Sequence, residues 1–139
     1  MQYMVQILVM VMLVLGASGC GQPPPPPIPV YPEAVPVQGE NLVANALRDA
    51  LLKEQQAQGL TATSQVYTIP RNHSFEDVQA FYTEAMEAAG WQRDTLQVPV
   101  PDGGIAGWTR GETHAFVVMV LRDPLNNQTL LLTVEAQRE

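Results

Sequence analysis

The chain of 139 residues is short of the side chains that most chemical sites need. It has one cysteine, Cys20, so no disulfide can form within one chain. Its two histidines, His73 and His114, are 41 positions apart, and with no second cysteine they do not match the ligand spacing of a structural zinc site. Seven Lys and Arg residues stand against fourteen Asp and Glu residues, and this acidic balance is the wrong charge for binding nucleic acid. The length allows one small domain.

Charge is also absent from the beginning of the chain, where the first charged side chain is Glu33. Residues 7–15 are nine consecutive apolar residues, followed by four small residues and then Cys20. A membrane-spanning helix needs ~20 apolar residues and the hydrophobic region of a signal peptide ~7 to 15, so the length favours a signal peptide over residues 1–19. There are two alternatives. One is an ordinary secretory signal, with Cys20 either removed or left as a spare thiol, and the other is a retained membrane helix.

The run Ala17-Ser18-Gly19-Cys20 resembles the lipobox of bacterial lipoproteins. The resemblance implies that the chain is cut before Cys20, that the sulfur carries a diacylglycerol and that acyl chains such as palmitate anchor the protein. It also implies a location in the cell envelope, on the extracytoplasmic side of a bacterial membrane. One acyl chain holds a protein only marginally, whereas two or three on one residue give a lasting anchor.

Proline dominates the segment that follows, with residues 23–27 all proline and further prolines at positions 29, 32 and 36. Such segments adopt extended polyproline II at ~3.1 Å per residue, so residues 20–32 predict a spacer of up to ~40 Å between anchor and domain. A ligand for a proline-recognising groove is the alternative. The folded domain is expected over residues 33–139.

The domain pattern predicts helices followed by strands. Helical spacing of apolar residues predicts a helix over residues 41–58 that ends at Gly59, and a second helix that begins at Ser74 with a capping box to Asp77 and ends at Gly90. Short turns separate predicted strands at residues 91–98, 105–110, 113–122 and 128–136, with residues 65–69 and the segment around Val35 added beside them. We therefore expect a two-layer α+β domain, in which one or two helices cover an antiparallel sheet of about five strands.

Several short motifs of the domain look like a helix-to-strand unit found in small exported bacterial lipoprotein domains. These motifs are Tyr31-Pro32-Glu33-Ala34, the helix start at residues 74–78, Phe81-Tyr82 and Gly90-Trp91. The resemblance covers residues 31–136 in outline, with residues 39–60 as an insertion. It implies a framework and no activity.

No arrangement in the sequence predicts catalysis, a metal or a cofactor. His73 directly precedes Ser74, and capping of the second helix explains this pair of residues better than a Ser-His nucleophile does. His114 starts a strand. The acidic residues of the second helix are expected to form a solvated face. The glycine-rich residues 103–107 precede a strand and lack the helix that a phosphate-binding loop needs.

One predicted strand, residues 113–122, is apolar on both faces, so something must cover Phe116, Val118 and Val120. The helix at 41–58 is one candidate cover. The other candidate is an external molecule on a patch that also includes Trp108: a partner protein, a second copy of the chain, or a lipid or glycan.

These observations predict a lipid-anchored, non-enzymatic envelope protein whose domain engages another envelope component. The rival function is a binding module that uses Trp108 as an aromatic platform for a glycan or lipid, and a pocket of several hundred cubic ångströms beside Trp108 would favour it. The identity of a partner and the oligomeric state stay open.

Overall fold

The computed structural model describes residues 24–95 and 102–138, and these residues form one antiparallel sheet with two helices. The order is β1 (Val35–Pro36), α1 (Leu42–Ala57), β2 (Thr61–Ile69), α2 (Phe75–Ala88), β3 (Gln92–Asp94), β4 (Gly104–Arg110), β5 (His114–Asp123) and β6 (Gln128–Gln137). The expected mixed α+β class is confirmed, with six strands where about five were predicted. The predicted signal peptide, Cys20 and part of the predicted strand at 91–98 lie outside the described residues.

The strands are arranged in the order β1-β2-β6-β5-β4-β3. Two hairpins make β4, β5 and β6 a meander, as the short predicted turns indicated. The ninth and last residue of β2, Ile69, lies opposite Thr129, and its first, Thr61, lies opposite Gln137, so β2 pairs with β6 along its whole length. Because β2 starts at Thr61, it is four residues longer than the predicted segment.

The two helices of the described chain lie on opposite faces of this sheet. Val118 and Val120 of β5 pack in one core cluster with Val78 and Tyr82 of α2. The alternate residues Met119 and Leu121 pack in a second cluster with Ala44 of α1. Since successive strand residues point to opposite faces, the domain has three layers, α1, sheet and α2, and the two-layer expectation is wrong.

Local sequence signals fix where the helices begin and end. The Ser74 side chain accepts a hydrogen bond from the Asp77 amide and the Asp77 carboxylate accepts one from the Ser74 amide, which confirms the predicted capping box. Asn41 caps α1 through its side-chain oxygen, which accepts from the Ala44 amide. Gly59 and Gly90 follow the two helices with φ of +76° and +85°, the left-handed conformation that glycine adopts without strain.

The chain before β1 belongs to the packed domain. Ile28 packs against the core cluster under α2, and Tyr31 is only 6% exposed in that cluster. Packed residues therefore begin at least five positions before Glu33, the predicted first residue of the domain. We call residues 24–31 the proline strap.

Candidate functional site

The predicted surface patch is part of the protein core. Trp108 and Val118 have no exposed surface, and Phe116 and Val120 are 3% and 2% exposed. All four side chains lie in the cluster under α2. The covering element is α2 and not the helix at 41–58, which covers the other face. These four residues therefore do not form a docking surface for a partner or ligand, and that expectation is wrong.

Aromatic packing explains why Trp108 is not a binding platform. The ring of Tyr82 on α2 lies 5.2 Å from that of Phe116 and 6.3 Å from that of Trp108, between centroids. The guanidinium carbon of Arg93 lies 5.0 Å from the centroid of the Trp108 ring, a cation-π contact. Burial raises the pKa of Tyr82 to about 12, because its ionised form would lose solvation in this cluster.

A groove of about 350 Å³ lies on the opposite face, between the second half of α1 and the β4–β5 hairpin. It exists because α1 packs on β2 and β6 and leaves the β4–β5 half of this face uncovered. Leu51, Ile105, Ala115 and Val117 line it with apolar surface, and Gly107 adds no side chain. Trp108 borders the groove as a residue of β4, but its ring packs on the α2 side of the sheet.

The rim of this groove is polar and carries both signs of charge. Glu54 of α1 and Glu112 of the hairpin turn supply carboxylates, and Arg138 after β6 supplies a guanidinium. An apolar floor with a few polar groups at its edge is the usual composition of a small-molecule site, and the volume is near the lower limit for one. Sequence reasoning missed this groove, because its shape depends on where α1 crosses the sheet.

The two histidines lie at opposite ends of the sheet. His73 follows β2, and both of its ring nitrogens have partners: Nε2 donates to the Glu33 carboxylate at 3.1 Å, and Nδ1 lies 2.8 Å from the Tyr31 hydroxyl. His114 begins β5, and its Nδ1 lies 2.8 Å from the Thr113 hydroxyl. The Ser74 hydroxyl is engaged in capping, so the arrangement around His73 holds the end of the proline strap and does not resemble a Ser-His nucleophile.

Burial also acts on the hydroxyl of the strap residue. Desolvation, followed by the nearby charges of Asp77 and Glu33, raises the pKa of Tyr31 above its ordinary value. Tyr31 therefore stays neutral and serves as a hydrogen-bond partner of His73.

Asp123 at the end of β5 is a second group that the sequence did not single out. Its carboxylate has no exposed surface and accepts hydrogen bonds from the Asn126 and Asn41 side chains at 2.7 and 2.9 Å. The backbone amide of Leu125 donates a further bond of 2.9 Å. The hydrogen bond from the Asn126 side chain is the main cause that holds the pKa of Asp123 below its ordinary value. Desolvation acts in the opposite direction, whereas the bonds from Asn41 and the backbone amides lower the pKa further.

Comparisons add no functional assignment to these features. The chain matches no protein-family model, no curated protein and no solved structure. Within residues 24–95 and 102–138, no three His, Cys, Asp or Glu side chains are placed to share a metal ion, and neither helix combines the length and hydrophobicity of a membrane span. The described residues form a three-layer α+β domain with an amphipathic groove between α1 and the β4–β5 hairpin.

Proposed function

We propose that this protein is a bacterial lipoprotein, anchored by lipid on Cys20 to the extracytoplasmic side of a membrane, whose domain is a non-catalytic interaction module of the cell envelope. The observation that carries the proposal is the position of the sole cysteine. It directly follows four small residues, Gly16, Ala17, Ser18 and Gly19, which in turn follow the nine-residue apolar run. This is the place at which lipoprotein processing uses a thiol.

The proline strap supports a short connection between such an anchor and the domain. Pro24 and Pro25 lie beside the β4–β5 turn, and Ile28 packs against the core. Of the predicted spacer, residues 28–32 thus belong to the packed part of the chain or adjoin it. A stiff, packed strap suits a protein that works close to its membrane.

Metabolic labelling tests the anchor. Cells that express the wild-type chain are fed radiolabelled palmitate, and the purified protein is compared with the variant Cys20→Ser, which keeps a small polar side chain but loses the thiol. We expect label in the wild type, none in the variant, and detergent-phase partitioning of the wild type alone. Mass spectrometry that finds the Cys20 sulfur unmodified in the native protein would overturn the proposal.

The groove favours a second candidate function, binding of a small amphiphilic ligand such as a lipid or a glycan. Its apolar floor can hold an apolar segment, while the Glu54, Glu112 and Arg138 rim can contact polar groups. The ligand site is then the groove of α1 and the β4–β5 hairpin and does not involve the Trp108 ring.

A substitution that fills the groove tests this second function. Val117 is half-buried in the floor, so Val117→Trp should occupy the space with little change in the α2 core. A fluorescent fatty acid should bind the wild type saturably and bind the variant at least tenfold more weakly, a difference of about 1.4 kcal/mol. Thr63→Trp, an exposed change on the other face, is the control. Equal binding by all three proteins would remove the groove from consideration.

A further inference from the structure

The proline strap runs the length of the sheet between two chemically different ends. The hairpin end is formed by the β4–β5 turn (residues 111–113) and the last residues of β6. The cap end is formed by the N-termini of α1 and α2 and the β5–β6 turn (residues 124–127). Pro24 and Pro25 lie at the hairpin end, beside Arg110, Glu112 and Gln137. Tyr31 lies at the cap end, bonded to His73 just before α2.

Two packed residues hold the strap in this direction. Ile28 packs on the α2-side core, next to Tyr67 and Tyr82 of the same face. Tyr31 is nearly buried, with its ring edge-on to Phe81 at 5.4 Å between centroids. A polyproline segment is semi-rigid over several residues, so fixing it at these two points also fixes where Pro24 lies.

An anchor at Cys20 has only a short reach from Pro24. Cys20 precedes Pro24 by four residues, and four residues of any conformation span at most ~14 Å. By contrast, β5 has ten residues and is about 30 Å long, so the cap end lies well beyond that reach from Pro24. An anchor at Cys20 is therefore closest to the hairpin end.

We propose that the hairpin end of the domain faces the bilayer that holds the anchor, with residues 110–114 and the end of β6 as the membrane-facing surface. The inference rests on the proposed lipid anchor. The cap end, with the exposed side chain of Leu125, then points away from the membrane.

The distribution of charge agrees with this orientation. The chain carries a formal net charge of −7, yet Arg110 and Glu112 balance each other beside the strap and Arg138 follows β6 at the same end. The cap end carries two arginines, Arg71 and Arg122, against a larger number of acidic side chains, so its net charge is negative; the acidic side chains are Glu33, Glu40, Glu76, Asp77 and Asp102. A surface of anionic lipids repels carboxylates within about a Debye length, ~8 to 10 Å, so the acid-rich end is favoured on the distant side.

The orientation has a consequence for the groove, which shares residues 111–114 with the hairpin end. A ligand that enters the groove near the turn comes from the side of the bilayer. The membrane-facing surface and the groove mouth are then one continuous region.

Energy transfer from two labelled positions to the membrane tests the orientation. The variants Glu112→Cys and Leu125→Cys place a single dye on an exposed turn at the hairpin end or the cap end. Each protein is purified with its native lipid and inserted into vesicles of phosphatidylethanolamine and phosphatidylglycerol that carry an acceptor dye on the headgroups. We expect quenching several-fold stronger at position 112 than at position 125. Equal quenching, or the reverse order, would overturn the proposal.

The labelling step separates failure of the orientation from failure of the anchor. A lipidated Cys20 sulfur is a thioether and takes no maleimide dye, so each variant should bind one dye per chain. Two dyes per chain would show a free Cys20 thiol and would refute the anchor itself. One dye per chain is also expected if an ordinary signal peptidase has removed Cys20, so mass spectrometry of the same sample must find the lipid on Cys20. A lipidated protein with one dye and equal quenching refutes the orientation alone.

A variant of the strap tests whether the stiffness of its prolines determines the orientation of the domain on the membrane. Pro24→Gly with Pro25→Gly replaces stiff residues at the edge of the packed region by flexible ones and leaves Ile28 and Tyr31 in place. The difference in quenching between positions 112 and 125 should then decrease at least twofold. An undiminished difference would contradict the role given to the strap.

Discussion

The Asn41 side-chain amide donates a hydrogen bond of 2.9 Å to the buried carboxylate of Asp123 across 82 positions of sequence. Through its other amide atom Asn41 caps α1, and through its remaining bonds Asp123 orders the turn between β5 and β6. One contact thus ties the start of a helix to the end of a central hairpin. It fixes α1 over β2 and β6, and in this way it also determines where the groove lies.

Asp123→Ala should lower the free energy of unfolding by about 2 to 3 kcal/mol, because it leaves buried donors of Asn41 and the turn without an acceptor. Urea unfolding followed by circular dichroism measures the change. Asp49→Ala, an exposed carboxylate on α1, is the matched control and should change stability by no more than about 0.5 kcal/mol. If the two variants are equally stable, the Asn41–Asp123 contact contributes no more than a surface charge.

Acid should weaken the fold in a defined range of pH. The pKa values of Asp123 and Asp77 lie below the ordinary 3.8 in the folded chain, since hydrogen bonds stabilise both charged forms. Their contribution is complete above the unfolded-state pKa of about 3.8 and is lost as pH falls through the folded-state values. From these two groups we expect no change in stability between pH 7 and about pH 5 and a decrease below about pH 4.

The variant Asp123→Asn provides the comparison, because its amide does not titrate. Its stability should start lower at pH 7 and fall less steeply below pH 4 than that of the wild type. Parallel curves for the two proteins would show that Asp123 has the same pKa in both states.

A charge at Val118 should unfold the domain. Val118 has no exposed surface and lies under α2, so the carboxylate of Val118→Glu would lose its solvation without gaining a partner. The expected cost is more than about 4 kcal/mol, and thermal unfolding with near-ultraviolet circular dichroism detects it. Leu125→Glu, at a side chain 68% exposed, should leave the transition unchanged. A folded Val118→Glu protein would be incompatible with this core.

The proline strap should contribute to stability in proportion to what it buries. Tyr31→Ala removes a nearly buried ring and should cost about 3 kcal/mol, whereas Tyr31→Phe removes only the bond to His73 and should cost about 1 kcal/mol. A chain that begins at Glu33 should melt at a lower temperature than one that begins at Pro24. Identical melting temperatures would show that residues 24–32 form a free spacer after all.

Local features of the domain could be predicted from sequence, because their signals are short. The Ser74–Asp77 capping box, the glycines that end the helices and the turns of the meander each depend on a few neighbouring residues. The pairing of β2 with β6 depends on residues far apart in sequence, and no local pattern indicates it.

The predicted position of the binding surface was wrong for a related reason. Alternation in β5 showed correctly that both faces are apolar, but it does not tell which helix covers which face. Phe116 was therefore assigned to a surface, although Tyr82 of α2 packs on it. The prolines suggested a solvated spacer, and the apolar side chains of Ile28 and Tyr31 within that run were the signal that part of it packs.

The approach of α2 to β4 requires a residue without a side chain at Gly104. A Cβ atom there would overlap the ring of Phe75, the first residue of α2. Gly104→Ala should therefore cost about 1 to 3 kcal/mol, as overpacking does, and the smaller Phe75→Leu should reduce that cost when the two are combined. Gly59→Ala is the control: its Cβ meets nothing within 4 Å, so its cost of about 1 kcal/mol comes from its positive φ and should be the same with either residue at position 75. Additive costs for Gly104→Ala and Phe75→Leu in a double-mutant cycle would show that this contact does not set the distance between α2 and the sheet.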